Sequence, residues 1–255
     1  MNSIDNLSID IILPNYNKED YIDECIISIL NQSFLNWKLY IIDDCSTDNS
    51  VKKINKYKDY KKIKIVNLKK NKGPSFCRNL GMRISKNNYI SFIDSDDYWT
   101  KNKLKKQLEF MKVNNYGFTY TDYIPFFQTK NEKKFLRKTN IISFFDFKKF
   151  SRNSSINTST MILKRSLIMF NKFKKLKKLE DYIFKCEILK RSNAIKFDDC
   201  SAFYRILNYG RSSSKLENLM NLWSVNKKYN NLNLLDNFLS ILFISINSLK
   251  KYGFK

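Results

Sequence analysis

The stretch Tyr89-Ile90-Ser91-Phe92-Ile93-Asp94-Ser95-Asp96-Asp97 is an apolar run that stops in three carboxylates. A strand sends alternate side chains to one face, so Asp94 and Asp96 project together from its end while Asp97 begins the exit turn. Folding alone has no need of those acids. Hard divalent ions such as Mg2+ and Mn2+ take one or two carboxylates and fill their remaining positions with water or phosphate oxygens, which makes the triplet a candidate cation grip. A polar turn after a strand is the plain alternative, and the context upstream weighs against it.

Two further strand ends supply that context. Trp37-Lys38-Leu39-Tyr40-Ile41-Ile42 ends in Asp43-Asp44-Cys45-Ser46-Thr47-Asp48, and Ile9-Asp10-Ile11-Ile12-Leu13 ends in Pro14-Asn15-Tyr16-Asn17, which offers an aromatic face. In open parallel sheets ligands bind at the carboxyl ends of the strands, so all three endings are expected to line one crevice.

The elements that must position them alternate from Ile9 to Ile93 as strand and helix, in units suited to right-handed crossovers on a parallel sheet. Asn17 is the expected N-cap of the first helix, with Tyr21, Ile22, Cys25, Ile26, Ile29 and Leu30 on its buried face. Ser46 to Asn49 opens a second helix, Ile63 to Val66 is a third strand, and Asn71-Lys72-Gly73-Pro74 is a turn. A helix from about Ser75 to Ser85 then carries Arg78, Asn79 and Gly81. Beyond Trp99 the alternation fades. Leu104 to Val113 reads as an amphipathic helix, Phe118 to Thr121 as a short strand, and Pro125 to Phe150 as a basic, aromatic excursion suited to acceptor specificity. Ser159 to Leu163 is a strand, a helix starts at Glu180, and Leu216 to Lys255 is helical with an apolar stripe of Leu235, Phe238, Leu239, Leu242, Ile246 and Leu249.

Composition narrows the chemistry. The 255 residues carry a net charge of +23, a balance that elsewhere marks nucleic-acid or membrane binding. Lys, Asn, Ile, Phe and Tyr abound while Ala occurs only at Ala194 and Ala202, the pattern of an AT-rich coding sequence, which accounts for much of the excess. The chain has no histidine, so Ser-His-Asp and Cys-His nucleophiles and His-based metal sites are excluded, and acid–base chemistry rests on carboxylates, Lys, Tyr or Cys. Five cysteines without C-x-x-C spacing indicate neither a disulfide framework nor structural zinc and fit a reducing cytoplasm. The N-terminal residues lack a signal-peptide pattern, and no apolar run approaches a membrane span.

In order along the chain, Ile12-Leu13-Pro14-Asn15-Tyr16-Asn17, Ile42-Asp43-Asp44-Cys45-Ser46-Thr47-Asp48, Asn71 to Gly81, and Phe92-Ile93-Asp94-Ser95-Asp96-Asp97 resemble the family 2 glycosyltransferases. Leu179-Glu180-Asp181-Tyr182 is similar to that family's later acidic pair. The likeness covers roughly residues 8 to 215 and is strongest in the first hundred. It implies an α/β, GT-A fold: a Rossmann-like, mostly parallel sheet flanked by helices, with a smaller acceptor-binding half and C-terminal helices. Residues 1–100 would form the nucleotide-sugar-binding half, 101–215 the acceptor and catalytic-base half of the same domain, and 216–255 a helical segment.

Carried over residue by residue, the resemblance implies that Pro14, Tyr16 and Asn17 surround the base and ribose. Asp44, with Asp43 as the second candidate, would read the base edge. Arg78 and Lys72 would meet the diphosphate. Asp94, Ser95 and Asp96 match the DxD motif, with Asp94, Asp96 and Asp97 as metal ligands; Asp97 alternatively faces the sugar and acceptor. Asp181 matches the general base, with Glu180 as its substitute should the register differ by one. Phe203-Tyr204-Arg205 and Ser212-Ser213-Ser214 resemble a later aromatic-Arg pair and a closing loop, which would give Arg205 a diphosphate contact, although the histidine common between them is missing. Plain readings stand beside these: Asp44 as a helix N-cap, Glu180 and Asp181 as acids favoured by a helix dipole.

The resemblance thus implies an inverting transferase using Mn2+ or Mg2+, moving a hexose or N-acetylhexosamine from a nucleotide sugar, with UDP the expected carrier, to a surface glycan, lipooligosaccharide or lipid-linked oligosaccharide. Transfer to a polyprenyl phosphate is the alternative within the family. The expected location is the cytoplasm, with the C-terminal stripe and its lysines offering peripheral contact with an anionic membrane on its inner face. A nucleic-acid-binding module is the competing class; it is disfavoured because carboxylates at several strand ends would repel phosphates unless a metal intervened.

Overall fold

The structure is a computed structural model that describes residue 4 and residues 6–129, 132–207 and 215–252. Its first half comprises β1 (Ile9–Asn15), α1 (Ile22–Leu30), β2 (Trp37–Asp43), α2 (Ser50–Ile54), β3 (Ile63–Asn67), α3 (Pro74–Ile84) and β4 (Tyr89–Phe92). Every residue of β1 is buried, as the continuous apolar run of a central parallel strand requires. β1 pairs in parallel with β2 on one side and β4 on the other, and β2 pairs with β3, giving the order β3-β2-β1-β4. The chain reverses direction across the sheet between β1 and β4, the point at which a crevice opens beyond the strand ends.

The second half adds β5 (Tyr98–Trp99), α4 (Lys103–Val113), β6 (Phe118–Gln128), β7 (Lys133–Phe135), β8 (Phe144–Phe145), α5 (Phe147–Ser151), β9 (Ile162–Lys164), α6 (Glu180–Leu189) and β10 (Ala194–Ile206), followed by α7 (Lys215–Val225) and α8 (Leu234–Tyr252). Short β9 joins the halves, antiparallel to both β4 and β6, and β10 runs parallel to β6. The long strands therefore all point one way, and one mixed sheet of ten strands spans both halves. It is the mostly parallel α/β architecture expected.

Three local expectations are corrected. Asn17 is not the N-cap of α1, which starts at Ile22; its φ is +49°, and its side chain instead accepts from Thr47 N at 2.8 Å and donates to Thr47 Oγ1 at 3.2 Å. The strand at Phe118 runs on through Pro125 to Gln128, paired with β10 from Thr119 to Phe127, and Leu136 N donates to the Pro125 carbonyl. The excursion from Pro125 to Phe150 is thus partly sheet. β10, at 13 residues, was not legible as a strand at all; its burial is irregular and its register to β6 shifts twice between Lys196 and Ala202.

At the start of β1, buried Asp10 accepts from Lys86 N, Asn87 N and Arg165 Nη2 at 2.7, 2.6 and 2.9 Å. This acid ties the two halves together at the end of the sheet away from the crevice. Phe173 stacks on Phe184 at 3.9 Å with Phe92 edge-on at 5.4 Å, an aromatic cluster that backs the crevice floor.

Candidate active site

The crevice beyond β1 and β4 has a volume of about 960 Å³ and is walled by Pro14 to Lys18, Asp44, Arg78, Asp94 to Asp96 and Asp181, among others. That volume is at the upper end of what small-ligand sites enclose. Tyr16 is exposed at its edge. The two acids after β2 divide their work. Asp43 is buried and accepts from Asn15 Nδ2 at 2.8 Å, Ser46 N at 2.9 Å and Ser46 Oγ at 2.6 Å. Both of its oxygens hold the Ser46 loop and it does not line the crevice, so the structure does not bring it to the place expected of it, where a base edge would be read. Asp44 reaches the crevice wall, where its two oxygens accept from Lys72 N and Gly73 N, each at 2.7 Å. It is not a helix cap. Gly73 has φ +85°, a conformation that costs a side-chain-bearing residue, and this turn presents both N–H groups to one carboxylate. Lys72 contributes only that backbone donor: its ammonium lies over the Phe76 ring at 4.4 Å and not on the crevice wall, correcting its placement at a diphosphate.

α3 lies close on β1 because Gly81 has no Cβ; one built there would meet Ile12 Cγ2 at 2.6 Å. One turn earlier on α3, buried Arg78 donates from Nη2 to Asp94 Oδ1 at 2.7 Å and from Nη1 to Glu180 Oε1 at 3.5 Å, with its guanidinium over Phe173 at 5.3 Å. Burial works against its charge, but Asp94, Glu180 and Asp181 outweigh that and raise its pKa further. Arg78 thus joins the end of β4 to the start of α6.

Asp96 Oδ2 accepts from Lys18 Nζ at 2.7 Å. Asp97 turns the other way. It is buried, its oxygens accept from Ser159 Oγ at 2.6 Å and Arg205 N at 3.1 Å, and burial with the charges of Asp96 and Asp94 pushes its pKa well above the usual carboxylate range. It does not line the crevice, so the structure brings it neither to a metal site beside Asp94 and Asp96 nor to the sugar and acceptor, the two roles expected of it. Arg205 occupies the crevice wall but spends its Nε on Asp96 O at 2.9 Å and its Nη2 on Glu24 Oε2 at 2.7 Å, sandwiched between the rings of Tyr21 and Phe126. It is a strut for the Asp94–Asp97 turn, and its remaining Nη1 is buried without a hydrogen-bond partner among the described residues. Ser212 to Ser214 lie outside the described residues.

The two acids at the start of α6 both line the crevice but differ in exposure. The Asp181 side chain is 40% exposed and faces the crevice, whereas that of Glu180 is 8% exposed and turns inward to Arg78. Asp181 Oδ2 accepts from Lys185 Nζ at 2.8 Å and Thr158 Oγ1 at 3.4 Å, and Lys185 is anchored by the Ile156 carbonyl. Burial tends to raise the Asp181 pKa, but Lys185, Arg78 and the Tyr182 N–H override it and bring it down to about 2. Lys18, Lys185 and Thr158 were missed in the sequence; only the spacing of Asp181 and Lys185, four apart at a helix start, carried a signal.

A divalent ion would find hard ligands here. Asp94 and Asp96 line the crevice, and each has one oxygen bound to a cation while the other makes no hydrogen bond among the described residues. Among those residues no group of three or more acids, cysteines or histidines is poised to enclose a metal. Two carboxylates with a ligand diphosphate and water fit an ion of the Mg2+ type, which is seldom caged by protein alone.

Residues 10–177 match the profile of Glycosyl transferase family 2. Two Escherichia coli proteins, each named UDP-Glc:alpha-D-GlcNAc-diphosphoundecaprenol beta-1,3-glucosyltransferase, are similar along most of their length. WfgD is 33% identical over 87% of this chain and 86% of its own, and WfaP is 31% identical over 96% of each. Among solved structures, S. aureus TarS 1-349 in complex with UDP-GlcNAc superposes with a TM-score of 0.70 at 20% identity, over 96% of this chain and 73% of that one. This chain spans 44% of the longer TarS chain. At such identity the likeness concerns the fold.

Proposed function

The chain belongs to glycosyl transferase family 2, and on that premise we propose that it transfers a hexose or N-acetylhexosamine, with inversion, from a UDP-sugar to a sugar hydroxyl of a lipid-linked oligosaccharide or other growing surface glycan. The observation that carries this reading is that Asp181, half-buried and paired with Lys185, shares one crevice with Asp94, Asp96 and Asp44. The activities that WfgD and WfaP are named for support a UDP-hexose donor and a polyprenyl-diphosphate-linked acceptor.

In this reading residues 1–100 hold the donor, residues 101–215 the acceptor and base, and 216–255 pack beside them. Tyr16 stacks on the base between Pro14 and Asn17, and Asp44 accepts an N–H from the base edge with lone pairs its two backbone donors leave over. Asp94 and Asp96 would hold Mn2+ or Mg2+, which supplies charge neutralisation for the departing diphosphate so that no acid need protonate it. Lys18, released from Asp96, adds a second positive charge at that place. Arg78 keeps Asp94 in position and neutralises Glu180. Asp181 accepts the acceptor hydroxyl proton as its oxygen attacks the anomeric carbon from the face opposite the leaving group. A β-linkage follows from an α-linked donor.

Transfer to a polyprenyl phosphate is the second reading within the family. A phosphate oxygen is already ionised and needs no base, and the Asp181 carboxylate would repel it, so the geometry favours a hydroxyl. The test is release of nucleoside diphosphate by the purified chain against a panel of nucleotide sugars, with Mn2+, Mg2+ or chelator, and with a hydroxyl-bearing lipid-linked sugar or a polyprenyl phosphate as acceptor. Turnover only with the polyprenyl phosphate would overturn the first reading.

A further inference from the structure

α8 buries polar residues and leaves a row of large apolar ones exposed. Asn237 and Ser240 on its inner face are buried: Asn226 Nδ2 donates to Asn237 Oδ1 at 3.2 Å and to Ser240 Oγ at 2.8 Å, Asn237 Nδ2 donates to Trp223 O at 3.1 Å, and Ser240 Oγ donates to Ser151 O. Arg152 adds an ion pair to Asp236 at 2.8 Å. These polar groups attach the helix together with Ile241 and Ile244, which pack against the core. Its outer face carries Leu235, Phe238, Leu242 and Ile246, a single row at helical spacing, with Leu235 68% and Phe238 58% exposed. A surface helix of a soluble domain has the opposite arrangement.

A second apolar feature accompanies it. Between β9 and α6, Met169 and Phe170 stand 66% and 82% exposed, and the next eight residues include five lysines, at 172, 174, 175, 177 and 178. Lys178 lines the crevice and also reaches Asn218 Oδ1 at 3.5 Å on α7, which in turn adjoins α8. The segment therefore links the reaction crevice to the C-terminal helices.

We propose that the outer row of α8 and the Met169–Phe170 tip insert into the interfacial layer of an anionic bilayer while the exposed Lys172 and Lys175 engage its headgroups. Charge complementarity selects this occupant: a second copy of a chain with a net charge of +23 would bring the same lysines against each other. Among the described residues no helix is long and apolar enough to cross a membrane, so α8 would lie in the surface plane. The purpose of the contact rests on a membrane-borne acceptor, but vesicle binding is measured without donor or acceptor and can fail independently of the transferase reading.

The test is flotation of the full chain with vesicles of phosphatidylcholine alone and of equal parts phosphatidylcholine and phosphatidylglycerol. Hydrogen exchange of the unaltered chain is followed alongside, with and without the anionic vesicles. Binding to the anionic vesicles is expected, weakened but not abolished by high salt, with added protection confined to peptides spanning 169–178 and 235–246. Met169→Ser with Phe170→Ser, and Leu235→Ser with Phe238→Ser and Leu242→Ser, should each lower vesicle affinity by about tenfold, because apolar burial and lipid charge add. No binding to the anionic vesicles, binding abolished by salt and indifferent to both sets of substitutions, or protection located elsewhere would each overturn the proposal. So would a dimer in solution that the α8 substitutions dissociate while vesicle binding is unchanged.

Discussion

The Lys185 ammonium sits one helical turn after Asp181, 2.8 Å from its Oδ2. This pairing holds the candidate base at a pKa of about 2, so the carboxylate is ionised at every pH where the chain would work. A base must be unprotonated to act, and removal of a neighbouring positive charge raises a carboxylate pKa. Lys185→Gln should therefore produce an acid limb in the kcat/KM profile near the ordinary Asp value of about 4, where the unaltered chain shows none from this group. Asp181→Asn should lower kcat by about 10²- to 10⁴-fold. The same pair links to stability: its contribution is present above the unfolded pKa of about 4 and lost as pH falls through 2.

Arg78 separates two acids that would otherwise face each other. Arg78→Met should destabilise the fold by about 2–3 kcal/mol in urea denaturation, less than for a wholly buried pair because the Asp94 side chain is 35% exposed. Arg78→Lys should recover little of that loss, since one ammonium cannot reproduce the fork that reaches Asp94 and Glu180 together. Full recovery by lysine would show that charge alone suffices.

Lys18 competes for Asp96 with any cation bound there. Lys18→Gln should lower the Mn2+ concentration that gives half-maximal binding, by several-fold in a titration followed by the free-ion electron paramagnetic resonance signal, while Asp96→Asn should weaken Mn2+ binding by about 10-fold or more. An unchanged titration for both variants would remove Asp96 from the metal site.

Gly81→Ala places a methyl group 2.6 Å from Ile12 Cγ2, and a contact of that kind forces α3 off β1. The expected cost is about 1–3 kcal/mol, seen as a lower midpoint in thermal unfolding. Because Arg78 sits on the same helix, donor binding measured by calorimetry should weaken along with it.

Lys103 is buried on α4 with its ammonium over the Trp99 ring at 4.4 Å and 3.1 Å from Gln107 Oε1. Burial lowers its pKa to about 7. The unfolded chain takes up the proton between that value and the ordinary pKa of about 10.5, so the folded state binds fewer protons in this window and stability rises with pH across it. Lys103→Met should stabilise the protein by about 1 kcal/mol or more at about pH 6, and the gain should shrink toward about pH 10. A gain independent of pH would show that Lys103 stays charged in the fold.

Much of the first half was legible because local signals agreed with one another. The apolar runs of β1, β2 and β4 and the turn at Gly73 announce their own ends, and acids placed where apolar strands stop stand out against the runs before them. The C-terminal stripe was equally visible as a pattern. Which way it faces was not, because an apolar row signals a buried face unless polar residues opposite it, here Asn237 and Ser240, find better partners inside.

The sequence by itself determined that a mostly parallel sheet would gather Pro14–Asn17, Asp44 and Asp94–Asp96 at one edge, since strand periodicity and chain direction are local properties. It also marked an acid at the start of α6. Only the tertiary structure decided which of each acidic pair faces the crevice. Asp43 and Asp97 are claimed by Ser46 and Ser159, 3 and 62 residues away, and lie off the crevice wall that Asp44 and Asp96 line; Glu180 is on that wall, but its carboxylate turns to Arg78, 102 residues away, which leaves Asp181 the more exposed of its pair. Adjacent acids are chemically alike along the chain. A hydrogen bond satisfied in the interior at one of them, formed only when distant elements pack, is what leaves its neighbour to the ligand.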